Sequence, residues 1–301
     1  MAESRINKKV AIISPTGMLG NGVYQILKDK YQLVLVYRNE DKIKLLNKYY
    51  GGIKKHLLVN FDLRLIYDDF HSGFSKYHLS PSLSSFYQSI GEVDAVINCA
   101  GITNRYINSD IPFGFFLNSA FPHLLSEYYQ EKLIHITTDC VFSGQEDYPY
   151  SELSLKSPQD LYGLSKMLGE PKEKSLVLRT SIIGREISGF TSLLEWFLQQ
   201  EGKTIKGFAN HYWNGITTKQ FGKICSQIID QREEFPKNGL FHIFSTTLSK
   251  YEMLLKFKNK YKVDCEIIPD ETTFCNRTLT TIYNLNNQLN VPSFDEMIKE
   301  L

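Results

Sequence analysis

The sequence predicts an α/β fold in which helices cover both faces of a doubly wound parallel sheet. Short apolar, β-branched segments alternate with helical patterns, which is typical of strand–helix–strand units in a parallel sheet. A glycine-containing turn also separates the first predicted strand from the first predicted helix. The predicted strands span 10–13, 33–37, 56–59, 93–98, 133–137 and 175–179, and the predicted helices lie near 20–29, 40–49, 114–130 and 158–170.

Composition narrows the class of protein. A chain of 301 residues with 42% hydrophobic and 22% charged residues is long enough for one large α/β domain with a smaller lobe. A net charge of +1 gives no electrostatic case for binding nucleic acid or an anionic membrane surface. No apolar run approaches the ~18 residues of a membrane span, and residues 1–9 are too polar for a signal peptide.

The cysteines predict a reducing compartment. Their positions are scattered, and no Cys-x-x-Cys pair occurs among Cys99, Cys140, Cys225, Cys265 and Cys275. Such spacing favours neither a disulfide framework nor a metal site. We therefore expect a cytoplasmic protein without a metal.

The turn after the first predicted strand suits a dinucleotide-binding motif. Gly17 and Gly20 would let backbone approach a pyrophosphate and let the helix pack on the strand. The helix N-terminus supplies N–H groups and the positive end of its dipole. Ser14 stands where such motifs begin with glycine, so either the turn is less tight or serine tolerates the dihedrals. The residues predicted to bind cofactor here are Ser14, Thr16, Gly17, Met18, Leu19 and Gly20.

The end of the second predicted strand bears on the choice of cofactor. Selectivity for NAD usually comes from an acidic residue there that accepts the ribose hydroxyls. Here the first charged residue is Arg38, which can pair with a 2′-phosphate. Glu40 and Asp41 follow, where they also suit the first turn of the next helix. The pattern favours NADPH over NADH.

A tyrosine and a lysine one helical turn apart are the most informative pair. Tyr162 and Lys166 would share one helix face. A neighbouring lysine favours the phenolate and lowers the phenol pKa from its usual ~10, so we expect Tyr162 to exchange a proton near neutral pH. Thr138, directly after the predicted strand 133–137, could hydrogen-bond the same substrate oxygen.

Two stretches do not follow the strand–helix rhythm. Residues 61–90 contain Pro81 and are long for a connection, and a lid, a dimer surface and a local decoration all stay open for them. Further on, an aromatic helical pattern at 188–201 precedes 207–215, a cluster typical either of a hydrogen-bonded structural loop or of a substrate-site wall. A helix at about 218–230 and a returning strand at 240–244 are predicted next.

Seven segments follow one another in an informative order: 16–20, 93–101, 118–120, 137–144, 150–152, 162–166 and 178–181. In sequence and order they resemble extended short-chain dehydrogenases/reductases, and within them the dTDP-4-dehydrorhamnose reductase group of nucleotide-sugar reductases. The Thr-Thr-Asp-x-Val-Phe block and the Tyr-Gly-x-Ser-Lys block are the most specific, and Thr138 precedes Tyr162 by the 24 residues that the group shows. The resemblance covers residues 8–225 well and the remainder loosely.

This resemblance implies a fold and an activity. The fold would be Rossmann-like, with a cofactor-binding domain at 1–184 and a smaller substrate lobe at 185–301, of which about 215–245 returns to the core. The activity would be NADPH-dependent reduction of a nucleoside-diphosphate 4-keto-6-deoxy sugar for surface polysaccharide, as a monomer or a homodimer. Tyr162 would protonate the developing alkoxide, Lys166 would bind the nicotinamide ribose, and Thr138 would bond the carbonyl.

Further residues take roles from the same resemblance. Asn118 would brace the site from the middle helix. Residues that would line the cofactor are Asn98, Cys99, Ala100, Gly101, Thr180 and Ser181. Residues that would contact substrate are Thr103, Asp139, Cys140, Trp213, Asn214 and Arg277.

Two other functions stay open. The first is a bifunctional 3,5-epimerase and 4-reductase, as in GDP-fucose synthesis, with Cys140 and His211 as acid and base. No Lys or Arg lies within five residues of Cys140 to favour its thiolate, so we expect it not to be a base. The second is a non-catalytic NADP(H)-binding partner that resembles the regulatory subunit of methionine adenosyltransferase. Such a protein has little need of Thr138, Tyr162 and Lys166 together.

Overall fold

A computed structural model describes residues 8–72 and 80–301. The strands are β1 Lys9–Ile13, β2 Gln32–Tyr37, β3 Leu57–Asn60, β4 Ala95–Asn98, β5 Leu133–Thr138, β6 Leu176–Thr180, β7 Ile182–Ile183, β8 Thr204–Phe208, β9 His211–Trp213, β10 Ile216–Thr217, β11 Gly239–His242, β12 Leu248–Ser249, β13 Glu266–Asp270 and β14 Cys275–Asn276. The α-helices are α1 Met18–Leu27, α2 Glu40–Tyr50, α3 Arg64–His71, α4 Pro81–Ile90, α5 Asn104–Ile107, α6 Ile111–Phe115, α7 Phe121–Tyr129, α8 Leu161–Leu168, α9 Leu193–Phe197, α10 Thr218–Asp230, α11 Lys250–Tyr261, α12 Leu285–Gln288 and α13 Phe294–Met297. A π-helical turn, Phe116–Ala120, joins α6 to α7.

The central sheet has seven parallel strands in the described part of the chain, in the order β11-β6-β5-β4-β1-β2-β3. Alternate residues of β1 enter different cores: Val10 and Ile12 pack on one face, Ala11 and Ile13 on the other. Burial on both faces explains why these strands are continuous apolar runs. The doubly wound, Rossmann-like fold predicted from the sequence is confirmed.

Strand register brings the carboxyl ends of the strands to one edge of the sheet. Ile13 of β1 lies opposite Asn98 of β4, and Thr138 of β5 lies opposite Thr180 of β6. The chain order reverses between β1 and β4, which is the point where open α/β sheets bind ligands. The predicted nucleotide turn and the predicted catalytic residues therefore share this edge.

The stretch 61–90 is mainly helical rather than an irregular connection. Pro81 occupies the first turn of α4, where proline costs no hydrogen bond, and the Ser80 hydroxyl accepts from Leu83 N at 3.0 Å. Asp69 of α3 accepts from the Ser80 hydroxyl at 2.7 Å, which ties the two helices together. Both helices belong to the crossover from β3 to β4, and residues 73–79 of this stretch lie outside the described residues.

The predicted helix at 218–230 and the returning strand both form. α10 packs against α1 so closely that a Cβ on Gly22 would lie 2.5 Å from Thr218 Oγ1. β11 then pairs in parallel with β6 at the edge of the central sheet. Residues on either side of these two elements build three small sheets, β10-β7, β12-β9-β14 and β13-β8.

Two local predictions in this region were wrong. The cluster 207–215 is not a loop, because β8 pairs with β13, and β9 lies between β12 and β14. Those partners lie far away in sequence, so local composition could not reveal them. The helical pattern at 188–201 shrinks to α9, preceded by Phe190 at a left-handed φ of 50°.

Among the described residues, none of the helices combines the length and the apolar character needed to span a bilayer.

Candidate active site

Thr138 and Tyr162 meet where β5 ends against α8. The Thr138 hydroxyl accepts from Cys140 N at 3.2 Å, which caps a single 3₁₀ turn at 139–141. A Cβ on Gly163 would lie only 2.3 Å from the Cys140 carbonyl oxygen, so α8 packs directly on that turn. Asp160 caps α8 by accepting from Gly163 N at 2.7 Å. This packing leaves the Thr138 hydroxyl interacting with the Tyr162 phenol.

Burial shifts the pKa values of Tyr162 and Lys166 in opposite directions. Burial raises the pKa of the Tyr162 phenol well above its usual value, and Cys140 and Asp139 add to the rise. Burial lowers the pKa of Lys166 to about 8, partly opposed by Glu170. The expected lowering of the phenol pKa by Lys166 was therefore wrong, because Lys166 Nζ donates to the Ile136 carbonyl at 2.8 Å.

A buried ion pair lies just beyond the C-terminal end of α8. The Glu170 carboxylate binds Arg179 with both oxygens, at 2.8 and 2.7 Å, and the two side chains are 3% and 1% exposed. Arg179 Nη1 also donates to His242 Nε2 at 2.8 Å, and Thr137 Oγ1 donates to Glu170 at 3.1 Å. Sequence reasoning missed this network, although an arginine inside an apolar strand indicates a buried acidic partner.

Asn118 connects α8 to the loop after β4. Its Oδ1 accepts from Ile102 N at 2.9 Å, while its Nδ2 donates to the Ile102 carbonyl and to Ser165 Oγ. The residue is fully buried on the π-helical turn, a feature that is frequent at functional sites. This position matches the bracing role that the resemblance implied.

The turn after β1 is strained at Ser14 and open at Gly17. Ser14 has a φ of 65°, in the left-handed region that glycine usually occupies. Gly20 must lack a side chain, since its Cβ would lie 2.0 Å from the Ser14 carbonyl oxygen. A Cβ on Gly17 would have no neighbour nearer than 3.7 Å, so the fold itself leaves room in front of the α1 N-terminus. Thr16, Met18 and Leu19 complete this turn, whose open N–H face fits a phosphate group.

Arg38 and Glu40 at the end of β2 have different surroundings. Arg38 is exposed, and no hydrogen bond or ion pair joins its side chain to another described residue. The Glu40 carboxylate accepts from the Tyr37 hydroxyl at 2.7 Å and from Asn60 Nδ2 at 3.0 Å. Asn39 caps α2, which places Glu40 and Asp41 in its first turn as expected.

The other predicted cofactor residues line the same edge. Asn98 Nδ2 bonds His135 Nδ1 at 3.1 Å, and its Oδ1 accepts from Ala100 N at 3.1 Å, which fixes the turn after β4. Cys99 and Gly101 flank that turn, Gly101 being exposed. Thr180 and Ser181 follow at the end of β6.

Asp139, Cys140 and Arg277 come together although Arg277 lies far away in sequence. The segment around β14 runs back past 144–150, with Asn276 N donating to the Gly144 carbonyl at 2.7 Å. Arg277 Nε donates to the Phe142 carbonyl at 3.0 Å, and its Nη1 lies 3.6 Å from Cys140 Sγ. Burial raises the pKa of the Asp139 carboxyl, against the opposing effect of Arg277 and Lys250.

Lys250 is a member of this cluster that the sequence did not indicate. It begins α11 directly after β12, and its Nζ lies 5.5 Å from the centre of the Trp213 ring. Burial lowers its pKa, which Asp139 and Cys140 partly oppose. Only the pairing of β12 with β9 brings it here, so no local signal could have found it.

Cys140 and His211 are poorly suited to act as an acid and base pair. No Lys or Arg lies within five residues of Cys140 in sequence, but Arg277 reaches its sulfur in the fold. Burial and Asp139 nevertheless raise the pKa of the thiol to about 12. His211 Nε2 bonds Thr273 Oγ1 at 2.8 Å, and its ring stacks on Phe208 at 4.3 Å.

Of three further residues predicted to contact substrate, two are buried in contacts within the protein and the third is exposed. Asn214 is 5% exposed, and its amide donates to the Leu279 carbonyl at 2.8 Å and accepts from Leu279 N at 2.9 Å, so it joins the end of β9 to the segment after β14. Trp213 is 3% exposed and packs edge-on against Phe294 at 5.4 Å, with Lys250 beside its ring. Thr103 is exposed at the start of α5. Within 8–72 and 80–301, no group of three or more His, Cys, Asp or Glu is arranged to hold a metal.

The chain is similar to a known protein family and to several solved structures. Residues 84–277 match the RmlD substrate binding domain. Methionine adenosyltransferase 2 subunit beta from Xenopus tropicalis is 23% identical over 264 residues, which cover 82% of this chain and 70% of that protein. A dTDP-4-dehydrorhamnose reductase from Clostridium acetobutylicum has 18% identity and a TM-score of 0.69, covering 97% of each chain. The Bacillus anthracis reductase in complex with NADP has 18% identity and a TM-score of 0.68, covering 98% of each chain.

Proposed function

Because this chain belongs to the RmlD substrate binding domain family, we propose that it is an NADPH-dependent reductase of a nucleoside-diphosphate 4-keto-6-deoxy sugar, acting in surface polysaccharide biosynthesis. The observation that carries the proposal is the interaction of Thr138 with Tyr162, with Lys166 one turn further along α8, at the sheet edge that also holds the glycine turn. A nucleotide cofactor at that turn would have its reactive end near the tyrosine.

Each of the three residues has a chemical task in this proposal. NADPH supplies the hydride when bound. The raised pKa keeps the Tyr162 phenol protonated at neutral pH, which suits a group that donates a proton to a developing alkoxide. Thr138 orients the carbonyl oxygen beside that phenol. Lys166, with a pKa of about 8, is mostly charged at pH 7 and would bind the nicotinamide ribose.

The surroundings of β2 and α1 support NADPH as the cofactor. The Glu40 carboxylate already accepts hydrogen bonds from Tyr37 and Asn60. Arg38 is exposed at the same strand end, where a guanidinium can pair with a 2′-phosphate. Gly17 leaves space for a pyrophosphate. The Bacillus anthracis reductase of the same fold was solved with NADP.

The division of the chain into a cofactor-binding part and a substrate-binding part also belongs to the proposal. Residues 1–184 would bind the cofactor and 185–301 would bind the sugar nucleotide, with about 215–245 joining the core. A homodimer also belongs to the proposal, and sedimentation at working concentration tests it. The proposal itself is tested by NADPH oxidation with a panel of nucleoside-diphosphate 4-keto sugars, and no oxidation with any of them would remove it.

A second candidate is a non-catalytic NADP(H)-binding subunit. The observation that favours it is the similarity to methionine adenosyltransferase 2 subunit beta. A chain of this kind would bind NADPH, leave it unoxidised with every keto sugar, and change the activity of a partner enzyme. The presence of the whole Thr138, Tyr162 and Lys166 set supports the reductase instead.

The bifunctional epimerase is the third candidate, and the contact between Arg277 and Cys140 is the observation in its favour. An assay in D₂O separates it from the reductase by reading deuterium at C3 and C5 of the 4-keto sugar. Because the Cys140 thiol has its pKa raised to about 12, we expect no exchange that depends on it. Exchange that disappears in Cys140→Ala would make the epimerase the better account.

A further inference from the structure

Lys250 and Arg277 are two partly buried cations whose charges the described protein does not directly neutralise. No carboxylate oxygen of a described residue lies within 4.0 Å of either side chain's nitrogens, although such pairs occur elsewhere in the chain. Arg277 instead contacts a carbonyl and a thiol, and Lys250 lies over the Trp213 ring. Buried charges are normally paired, because burial without a partner is costly.

The nearest acidic groups are engaged in other contacts. Asp139 accepts from Thr138 Oγ1 at 3.1 Å, and burial raises the pKa of its carboxyl, which disfavours its negative charge. Asp160 acts on Arg277 only through space, since its oxygens cap α8 and accept from Asn104. The two cations also repel each other, as the effect of Arg277 on the pKa of Lys250 indicates. The cluster therefore has a deficit of negative charge that a ligand can supply.

The position of the cluster indicates which part of a ligand would supply it. Asp139 and Cys140 directly follow Thr138, so Lys250 and Arg277 lie on the side of the site where the reacting carbonyl would be. The glycine turn lies instead after β1, on the cofactor side of the sheet edge.

We propose that Lys250, acting with Arg277, binds an anionic oxygen group of the substrate beside Thr138. This inference rests on the proposed function for the identity of the reacting centre. The group is a carboxylate on the sugar or a phosphate of the nucleotide, and both meet an ammonium and a guanidinium in the same way. Lys250 is thereby a specificity residue, and an uncharged sugar without either group would bind weakly.

A binding experiment without turnover tests the proposal. Trp213 reports on the site, since Lys250 lies over its ring and Trp196→Phe removes the other of the two tryptophans. The probes are inorganic pyrophosphate for the phosphate source, D-glucuronate for the carboxylate source, and D-glucose as the uncharged control. They are titrated with NADP⁺ present, so that pyrophosphate does not report on the glycine turn.

We expect pyrophosphate or glucuronate to change Trp213 emission, and Lys250→Gln to weaken that binding about tenfold or more. Lys250→Arg should retain it, because the positive charge remains. The matched control is Lys256→Gln, on the same helix but paired with Asp295 at 2.6 Å away from the cluster, and it should bind as the wild type does. The probe whose binding depends on Lys250 identifies the source of the anion.

Equal affinity of wild type and Lys250→Gln for both probes would overturn the proposal, as would failure of both probes to bind the wild type. Circular dichroism checks that each variant folds. If Lys250→Gln does not fold, Lys250→Met, which keeps the apolar stem over Trp213, takes its place with the same expected outcome. Because no turnover is read, a chain that fails as a reductase can still pass this test, and a reductase can fail it.

Discussion

Lys166 illustrates how burial changes the behaviour of one residue without changing its place in a motif. The spacing of Tyr162 and Lys166 was legible from the sequence, and α8 does place them one turn apart. Their pKa values could not be predicted from the sequence, because both depend on how deeply α8 is buried against β5. Because the buried phenol keeps its proton at neutral pH, Tyr162 is placed to donate a proton and not to accept one.

The lowered pKa of Lys166 predicts how stability depends on pH. The folded chain loses this proton near pH 8, whereas the unfolded chain keeps it until about 10.5, so the unfolded state binds more protons between those values. Stability contributed by this residue should therefore rise as pH increases from about 8 to 10.5, by up to about 3 kcal/mol.

Urea unfolding across this pH range measures the effect as the difference between wild type and Lys166→Met. Lys174→Met is the matched control, since Lys174 is an exposed lysine paired with Glu127. Parallel stability curves for wild type and Lys166→Met would show that burial does not shift this pKa.

Arg38 predicts the cofactor preference. Arg38→Ala should weaken NADPH binding about 10- to 100-fold while leaving NADH nearly unchanged, because only NADPH carries the 2′-phosphate and a charge-assisted contact is worth roughly 1.5–3 kcal/mol. Fluorescence titration of both cofactors measures it. Lys48→Ala, at the far end of α2, is the control. Equal weakening of the two cofactors would show that Arg38 does not read the phosphate.

The two cations near Cys140 show what sequence reasoning could not reach at the scale of single residues. Arg277 was named as a candidate, but its contact with Cys140 was not foreseen, and Lys250 was not named at all. Arg277 reaches the site through β14, which pairs with β9 across more than sixty residues of chain, and Lys250 through β12, which pairs with β9 across more than thirty. A window of five residues around Cys140 therefore gave the wrong surroundings for its thiol.

At the scale of elements, the turn between β1 and α1 contains two glycines that are present for different physical reasons. Gly20 is required by the protein, since its Cβ would meet the Ser14 carbonyl oxygen at 2.0 Å. Gly17 is not required by the protein, since a Cβ there has ordinary space around it. The motif alone could not tell these reasons apart.

This difference predicts that an added methyl group lowers stability at Gly20 but lowers cofactor affinity at Gly17. Gly20→Ala should cost about 1–3 kcal/mol of stability, as overpacking usually does. Gly17→Ala should leave the free energy of unfolding within about 0.5 kcal/mol, because it changes no internal contact, yet weaken NADPH binding about tenfold or more. Thermal unfolding and cofactor titration of both variants test the pair. Wild-type NADPH affinity in Gly17→Ala would contradict a phosphate site at this turn.

Elements with local signals were predicted and elements with distant partners were not. The six strands from 10–13 to 175–179 correspond to β1 to β6. All of them except the edge strand β3 are buried on both faces, and such strands are largely apolar in sequence. β8 and β9 were mistaken for a loop, since their partners β13, β12 and β14 lie far along the chain. α4 did have a local signal, serine followed by proline at 80–81, which was interpreted as a break rather than as a helix start.

At the scale of the whole molecule, one edge of the sheet gathers residues from most of the chain. β1, β4, β5 and β6 deliver Ser14, Asn98, Thr138 and Thr180 to that edge in register. The C-terminal segment crosses back and is held there by His242, whose Nδ1 donates to the Thr280 carbonyl at 2.7 Å. The doubly wound parallel sheet was predictable from the alternation of strands and helices, whereas this return of the C-terminus was not.

The central claim is that this arrangement reduces a keto sugar, and one comparison tests it most directly. Purified wild type and Tyr162→Phe are each given NADPH and a panel of nucleoside-diphosphate 4-keto sugars, with NADPH binding measured in parallel. We predict that wild type oxidises NADPH with at least one of them, and that Tyr162→Phe is slower by about 10²-fold or more while binding NADPH normally, since general acid catalysis is worth roughly that much. NADPH that binds the wild type but is oxidised with none of the sugars, or turnover that Tyr162→Phe leaves unchanged, would contradict the account.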